Sequence, residues 1–240
     1  MKINIKNIEI NYMQYGNPDG KDIVLLHGWG QNIEMMKPLG DNLLDFHITI
    51  LDLPGFGNSM EPTTALTIYD YRDILKEFLI SLNISNPILI GHSFGGRVAI
   101  TYASSESVDK LVLFGSPCIR NERKSTKEKI LNSLKKIPGL NNFGEYMKKY
   151  IGSTDYKNAS KVMREILVNT VNEDLTECAK NIKCPTLLIW GTLDTQAPIE
   201  EARELEKILA DGALIELPNL THYAYLEALP QVIYILNNFL

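Results

Sequence analysis

Five short aliphatic runs decide what this chain can fold into: Ile23-Val24-Leu25-Leu26, Ile48-Thr49-Ile50-Leu51, Ile88-Leu89-Ile90, Leu111-Val112-Leu113-Phe114 and Leu187-Leu188-Ile189-Trp190. Each is apolar at consecutive positions, so as a strand it must be covered on both faces. Together with 213–217 they define strand expectations at 22–27, 46–52, 87–91, 108–114, 185–190 and 213–217. Helical-period segments at 32–44, 67–82, 94–104, 198–210 and 224–239 stand between and after them. Strands alternating with amphipathic helices predict an α/β fold whose sheet is mostly parallel. Residues 2–15 alternate apolar and polar with Asn7 near a turn, which adds an antiparallel N-terminal hairpin and makes eight strands.

The alternation stops between about 116 and 183. Helical patterns at 125–136, 144–151, 159–171 and 173–181 occupy that stretch. This divides the chain into a core of 1–117 with 184–240 and a helical cap of 118–183, inserted after the sixth strand over the carboxyl edge where such sheets bind ligands. Residues 119–183 hold 14 Lys+Arg against 8 Asp+Glu, net +6, whereas the remainder holds 10 against 21, net −11. Two readings stay open: lysines solvating exposed helices, or a field that draws an anionic substrate or an acidic partner protein. An acidic body without a binding motif argues against nucleic acid.

At 240 residues and 45% hydrophobic, the chain can bury a large core. Its first 16 residues lack the apolar run of a signal peptide, and no run approaches the roughly 20 residues that span a bilayer. These features predict a cytoplasmic protein without membrane contact. Cys118, Cys178 and Cys184 form no CxxC pair, so neither a disulfide framework nor a zinc site is expected, and nothing in the sequence requires a cofactor.

The chemistry is concentrated in Gly91-His92-Ser93-Phe94-Gly95-Gly96, between a buried strand and a helix. Small residues at that junction let a serine protrude from a sharp turn. The helix start sets backbone N–H groups, Phe94 among them, beside the hydroxyl. A serine needs a base, and the chain has four histidines. His47 begins a strand, at the wrong edge; His92 points away from Ser93; His27 orders its own loop. His222, after the last strand, remains as candidate base. Asp194, after the strand at 185–190, is the candidate acid, the alternative being a turn-capping aspartate. The segment after 108–114, Gly115-Ser116-Pro117-Cys118, offers no carboxylate.

Five segments in this order, HGWG at 27–30, DLPGFGNS at 52–59, GHSFGG at 91–96, GTLD at 191–194 and THYAYLE at 221–227, resemble the α/β-hydrolase superfamily. The resemblance implies an α/β-hydrolase fold and ester cleavage through an acyl-enzyme, with Ser93, Asp194 and His222 as triad. It implies Trp29 and Phe94 backbone N–H groups as the oxyanion hole. Trp29, Leu193 and Tyr223, each within one of these motifs, and Cys118, in the segment after the sixth strand, are the candidate substrate-lining residues; a core role is the alternative for the Trp29 ring. HGWGQN, DLPGFG and the SPC at 116–118 further resemble the pimeloyl-acyl-carrier-protein methyl ester esterases, which implies an acidic acyl-carrier protein at the basic cap as partner. General carboxylesterases share the first two motifs, so a small-molecule ester or acyl substrate is the broader expectation. Tyr223 and Tyr225 stand where C–C hydrolases of this superfamily carry tryptophan. Serine at 93 excludes an aspartate-nucleophile dehalogenase, and a non-catalytic receptor is the remaining rival.

Overall fold

The computed structural model describes residues 1–119 and 159–240. Eight strands form one sheet: β1 (Lys2–Ile5), β2 (Ile8–Gly16), β3 (Asp22–Leu26), β4 (His47–Leu51), β5 (Ile88–His92), β6 (Lys110–Phe114), β7 (Thr186–Gly191) and β8 (Gly212–Leu217). Their spatial order is β1-β2-β4-β3-β5-β6-β7-β8. β1 with β2 and β2 with β4 pair antiparallel, and every later pair is parallel. The fold is an α/β-hydrolase fold, with the hairpin at one edge as the sequence predicts. Among the described residues no helix is long and apolar enough to cross a membrane.

Consecutive apolar residues serve opposite faces. Val24, Leu26, Leu89, Leu111 and Leu113 pack in one buried cluster, with residues of α2 (Ile68–Ser81), α3 (Phe94–Ala103) and α6 (Ile199–Ile208). Ile23, Leu25, Ile88, Ile90 and Val112 pack in the other, with α1 (Ile33–Gly40) and α8 (Leu229–Phe239). That two-sided burial is why these runs do not alternate.

The helix expected at 224–239 is two: α7 (Ala224–Glu227), then α8 after Ala228. Pro230 at the second position of α8 has no N–H to donate and forces the break just upstream. Expected helices at 125–136 and 144–151 lie outside the described residues. Those at 159–171 and 173–181 appear as α4 (Lys161–Val171) and α5 (Thr176–Asn181). Both bury side chains in the core: Ile166 and Ala179 are fully buried in the cluster that holds α3, and α5 packs against α3 and α6.

A buried arginine fastens this region. Arg97 of α3 donates from Nη1 to the Pro117 carbonyl (2.5 Å) and from Nη2 to the carbonyls of Thr170 (2.8 Å) and Glu173 (2.6 Å). The last turn of α4 leaves carbonyls unpaired and negative, and a guanidinium there satisfies both needs.

Candidate active site

Ser93 occupies the turn from β5 into α3 with φ 51° and ψ −112°. A non-glycine residue there costs about 1–3 kcal/mol, so its surroundings must hold it. They do so through close approach. A Cβ on Gly91 would stand 2.6 Å from Gly96 Cα, and one on Gly95 would stand 2.5 Å from the His27 carbonyl oxygen. Glycines at both positions let α3 seat against the ends of β3 and β5. Ser93 N–H donates to the Phe114 carbonyl at 2.9 Å, and Arg97 N–H returns to the Ser93 carbonyl at 3.1 Å. Ser93 is the N-cap of α3, yet its side chain makes no cap hydrogen bond. A serine serving the helix would bond the second or third N–H; this hydroxyl is not spent that way.

Asp194 and His222 meet because β7 and β8 are neighbours in parallel, Gly191 opposite Leu217. The loops that leave them are joined by Thr192 N–H to Leu217 O (3.0 Å) and Leu193 N–H to Leu220 O (2.9 Å). A side chain on Gly191 would strike the Leu220 and Thr221 carbonyls. Asp194 Oδ1 accepts from the N–H groups of Gln196 and Ala197, both at 2.8 Å. Asp194 Oδ2 lies 2.7 Å from His222 Nδ1. A carboxylate can only accept, so the imidazole proton sits on Nδ1 and Nε2 is left as the basic nitrogen. Both side chains are almost fully buried, which strengthens the bond.

Gly115 connects the two halves. It follows Phe114, which holds Ser93, and a Cβ on it would stand 2.9 Å from His222 Nδ1 and 3.2 Å from Asp194 Oδ2. Its φ of 51° also favours glycine. The serine turn and the His–Asp pair therefore flank one strand end. Sequence reasoning scanned this segment for a carboxylate and passed over the glycine that makes room; a Gly directly at a strand's carboxyl end was the available signal.

The other expected residues divide. The Trp29 ring is half-buried and meets Phe56 (4.8 Å) and Phe94 (5.3 Å) edge-on. Phe94 is itself buried, and its N–H opens α3. Tyr223 packs beside His222, ring centroids 5.6 Å apart. Leu193 adjoins Asp194 but is 55% exposed. Cys118 is 2% exposed and packs in the core, and burial pushes its thiol up to about 12.

The remaining histidines have structural partners. His27 Nδ1–H donates to the Gly28 carbonyl (2.7 Å) and Nε2 accepts from Leu53 N–H (3.0 Å). Complete burial lowers its pKa to about 4, so the ring is neutral and ties the loop after β3 to that after β4. Asp52 joins the same loops, accepting from Ile33 N–H (2.8 Å) and Asn58 N–H (2.8 Å). His47 pairs with Asp22 (2.8 Å) at the amino edge of the sheet, away from Ser93.

Known proteins share this fold. A family model described as alpha/beta hydrolase fold matches residues 22–153. Lipase 3 of Moraxella sp. (strain TA144) is 27% identical over 244 residues, covering 90% of this chain and 76% of its own. The pimeloyl-[acyl-carrier protein] methyl ester esterase of Aliivibrio fischeri (strain MJ11) is 24% identical over 248 residues, covering 92% and 94%. Among solved structures, an esterase from Exiguobacterium antarcticum superposes with a TM-score of 0.78 at 22% identity, covering 100% of this chain and 98% of that one. The match extends over more than half of the chain and includes the serine turn, and on that ground the chain belongs to the α/β-hydrolase family.

Proposed function

We propose that this protein is a serine esterase that cleaves carboxylic esters through an acyl-enzyme. The observation that carries the reading is the strained N-cap serine whose hydroxyl is withheld from its helix, at the strand end that also abuts the buried His222–Asp194 pair. In the proposed cycle, Ser93 Oγ bonds to the ester carbonyl carbon as its proton passes to His222 Nε2. The Trp29 and Phe94 N–H groups receive the oxyanion. The C–O ester bond then breaks and the alcohol leaves with the proton from His222. Water, deprotonated by His222, attacks the acyl carbon; the C–Oγ bond breaks and Ser93 regains its proton. Every proton and electron pair in the cycle is carried by Ser93, His222, substrate and water.

Relatives named as lipases and esterases support the ester as substrate class. The intact Ser, His and Asp set weighs against a receptor without activity. We also assign 118–183 to a cap: α4 lies against the loop after β4, where a Cβ on Gly55 would meet the Met163 side chain. Hydrolysis of a p-nitrophenyl ester with an initial burst, abolished in Ser93→Ala, is the expected result. Turnover retained by that variant would reject the reading.

A second reading, a methyl ester esterase acting on an acyl group held by an acidic carrier protein, is favoured by several relatives of that name and by the +6 charge of residues 119–183. Methyl pimeloyl-carrier protein should then be cleaved faster than the free methyl ester, with the advantage shrinking as salt rises. Equal rates at low salt would reject it.

A further inference from the structure

His92 adjoins the candidate nucleophile and is fully buried. Its Nε2 lies 3.0 Å from the His222 carbonyl oxygen, and its Nδ1 lies 3.2 Å from Gln31 Oε1. Gln31 Oε1 accepts the Gly28 N–H at 2.9 Å. Gly28 touches both: a Cβ there would stand 2.8 Å from His92 Nδ1 and 3.0 Å from Gln31 Oε1. Both ring nitrogens therefore face an oxygen, while burial lowers the pKa of His92 and leaves a neutral ring with one proton to give. The His222 carbonyl is the nearer acceptor, so the proton sits on Nε2. Nδ1 is then an acceptor facing another acceptor, Gln31 Oε1, so that edge packs against Gln31 without a hydrogen bond, while Gln31 holds the Gly28 amide by its own.

We propose that His92 is a positioning residue that fixes the base loop against the end of β5, holding the His222 main chain through Nε2. The proposal rests on the serine esterase reading. Its geometric logic is that the base and the oxyanion donors sit on loops after different strands, β8 and β3, while His92 ends β5, the strand that delivers the nucleophile. The Nε2 hydrogen bond sets the base loop in the frame of the nucleophile, and shifts of about 1 Å in such a frame cost on the order of 10²-fold in rate. Asp194 and Glu227 complete the hold on the base loop: Asp194 takes the His222 ring, and Glu227 accepts the Thr221 N–H at 2.7 Å and its hydroxyl. His222 is thus secured at its ring, its carbonyl and its preceding residue.

The test is kcat per active site, the sites being titrated with a fluorophosphonate, in His92→Leu and His92→Gln. Glutamine can place an amide N–H near the position of Nε2. His92→Leu is expected to lose on the order of 10²-fold in kcat per titrated site with KM changed by less than about threefold. His92→Gln, which restores a donor to the His222 carbonyl, should recover to within about tenfold of wild type. The proposal is overturned if His92→Leu turns over normally per titrated site or if His92→Gln is as slow as His92→Leu. A smaller titratable fraction with unchanged kcat per site would mark a purely structural role and also overturn it. Failure of the esterase reading looks different: wild-type protein itself would take up no fluorophosphonate.

Discussion

Asp194→Asn separates holding the imidazole from merely capping a turn. In the wild-type site Oδ1 accepts two backbone N–H groups, from Gln196 and Ala197, each at 2.8 Å. An asparagine cannot turn its NH2 toward two donors, so its oxygen must take that side and its NH2 must face His222. Nδ1, which lies 2.7 Å from Oδ2 in the native pair, then becomes an acceptor, and the imidazole proton moves to Nε2. That is the tautomer unable to accept a proton from Ser93. Disrupting an orienting aspartate in this way costs on the order of 10⁴-fold in kcat, about 5 kcal/mol of transition-state stabilisation. Stability should change far less, because the hydrogen-bond count survives and only charge assistance is lost, about 1–2 kcal/mol. Steady-state kinetics on a p-nitrophenyl ester beside thermal unfolding gives both quantities. A folded Asp194→Asn variant within tenfold of wild-type kcat/KM would refute the reasoning.

Three further outcomes follow from the structure. Gly115→Ala places a Cβ against His222 and Asp194 at φ 51° and should lower kcat/KM by roughly 10–100-fold; an unaffected rate constant in ester hydrolysis would contradict the close approach. Arg97→Met leaves the buried Thr170 carbonyl and its neighbours unpaired, a cost of about 2–4 kcal/mol and a fall in Tm of roughly 5–15 °C; calorimetry showing a shift under about 2 °C would contradict the clamp. Stability should also decline below pH 6.5, the ordinary value from which His27 is lowered to about 4. The unfolded chain binds the proton first as pH falls from 6.5 to about 4, so each step down in that window favours unfolding. His27→Gln should flatten that part of the stability curve, and an unchanged slope in denaturant titrations would count against a neutral buried ring.

The serine turn and the candidate acid and base were legible because each depends on residue type at a strand end: Gly91 and Gly95 bracket Ser93, and Asp194 and His222 follow successive strands. The two-faced strands were legible because their apolar runs do not alternate. What the sequence hid depends on neighbours in space. Gly115 matters because β6 lies between β5 and β7, and Gln31 because its amide reaches Gly28 beneath the ring of His92. Cys118 is buried beside Leu175, whose N–H donates to its carbonyl at 2.9 Å, a contact between segments that residue order does not relate. Pro230 was readable as a break, but the continuous apolar period around it masked the signal.

The central claim is that Ser93 is a nucleophile activated by His222. Incubation with a fluorophosphonate, followed by mass spectrometry of the digested protein, tests it directly. The account predicts one adduct per chain, on Ser93, formed at a rate that falls by at least about 10²-fold in His222→Ala. A wild-type protein left unlabelled at Ser93, or labelled there equally fast without His222, would contradict it.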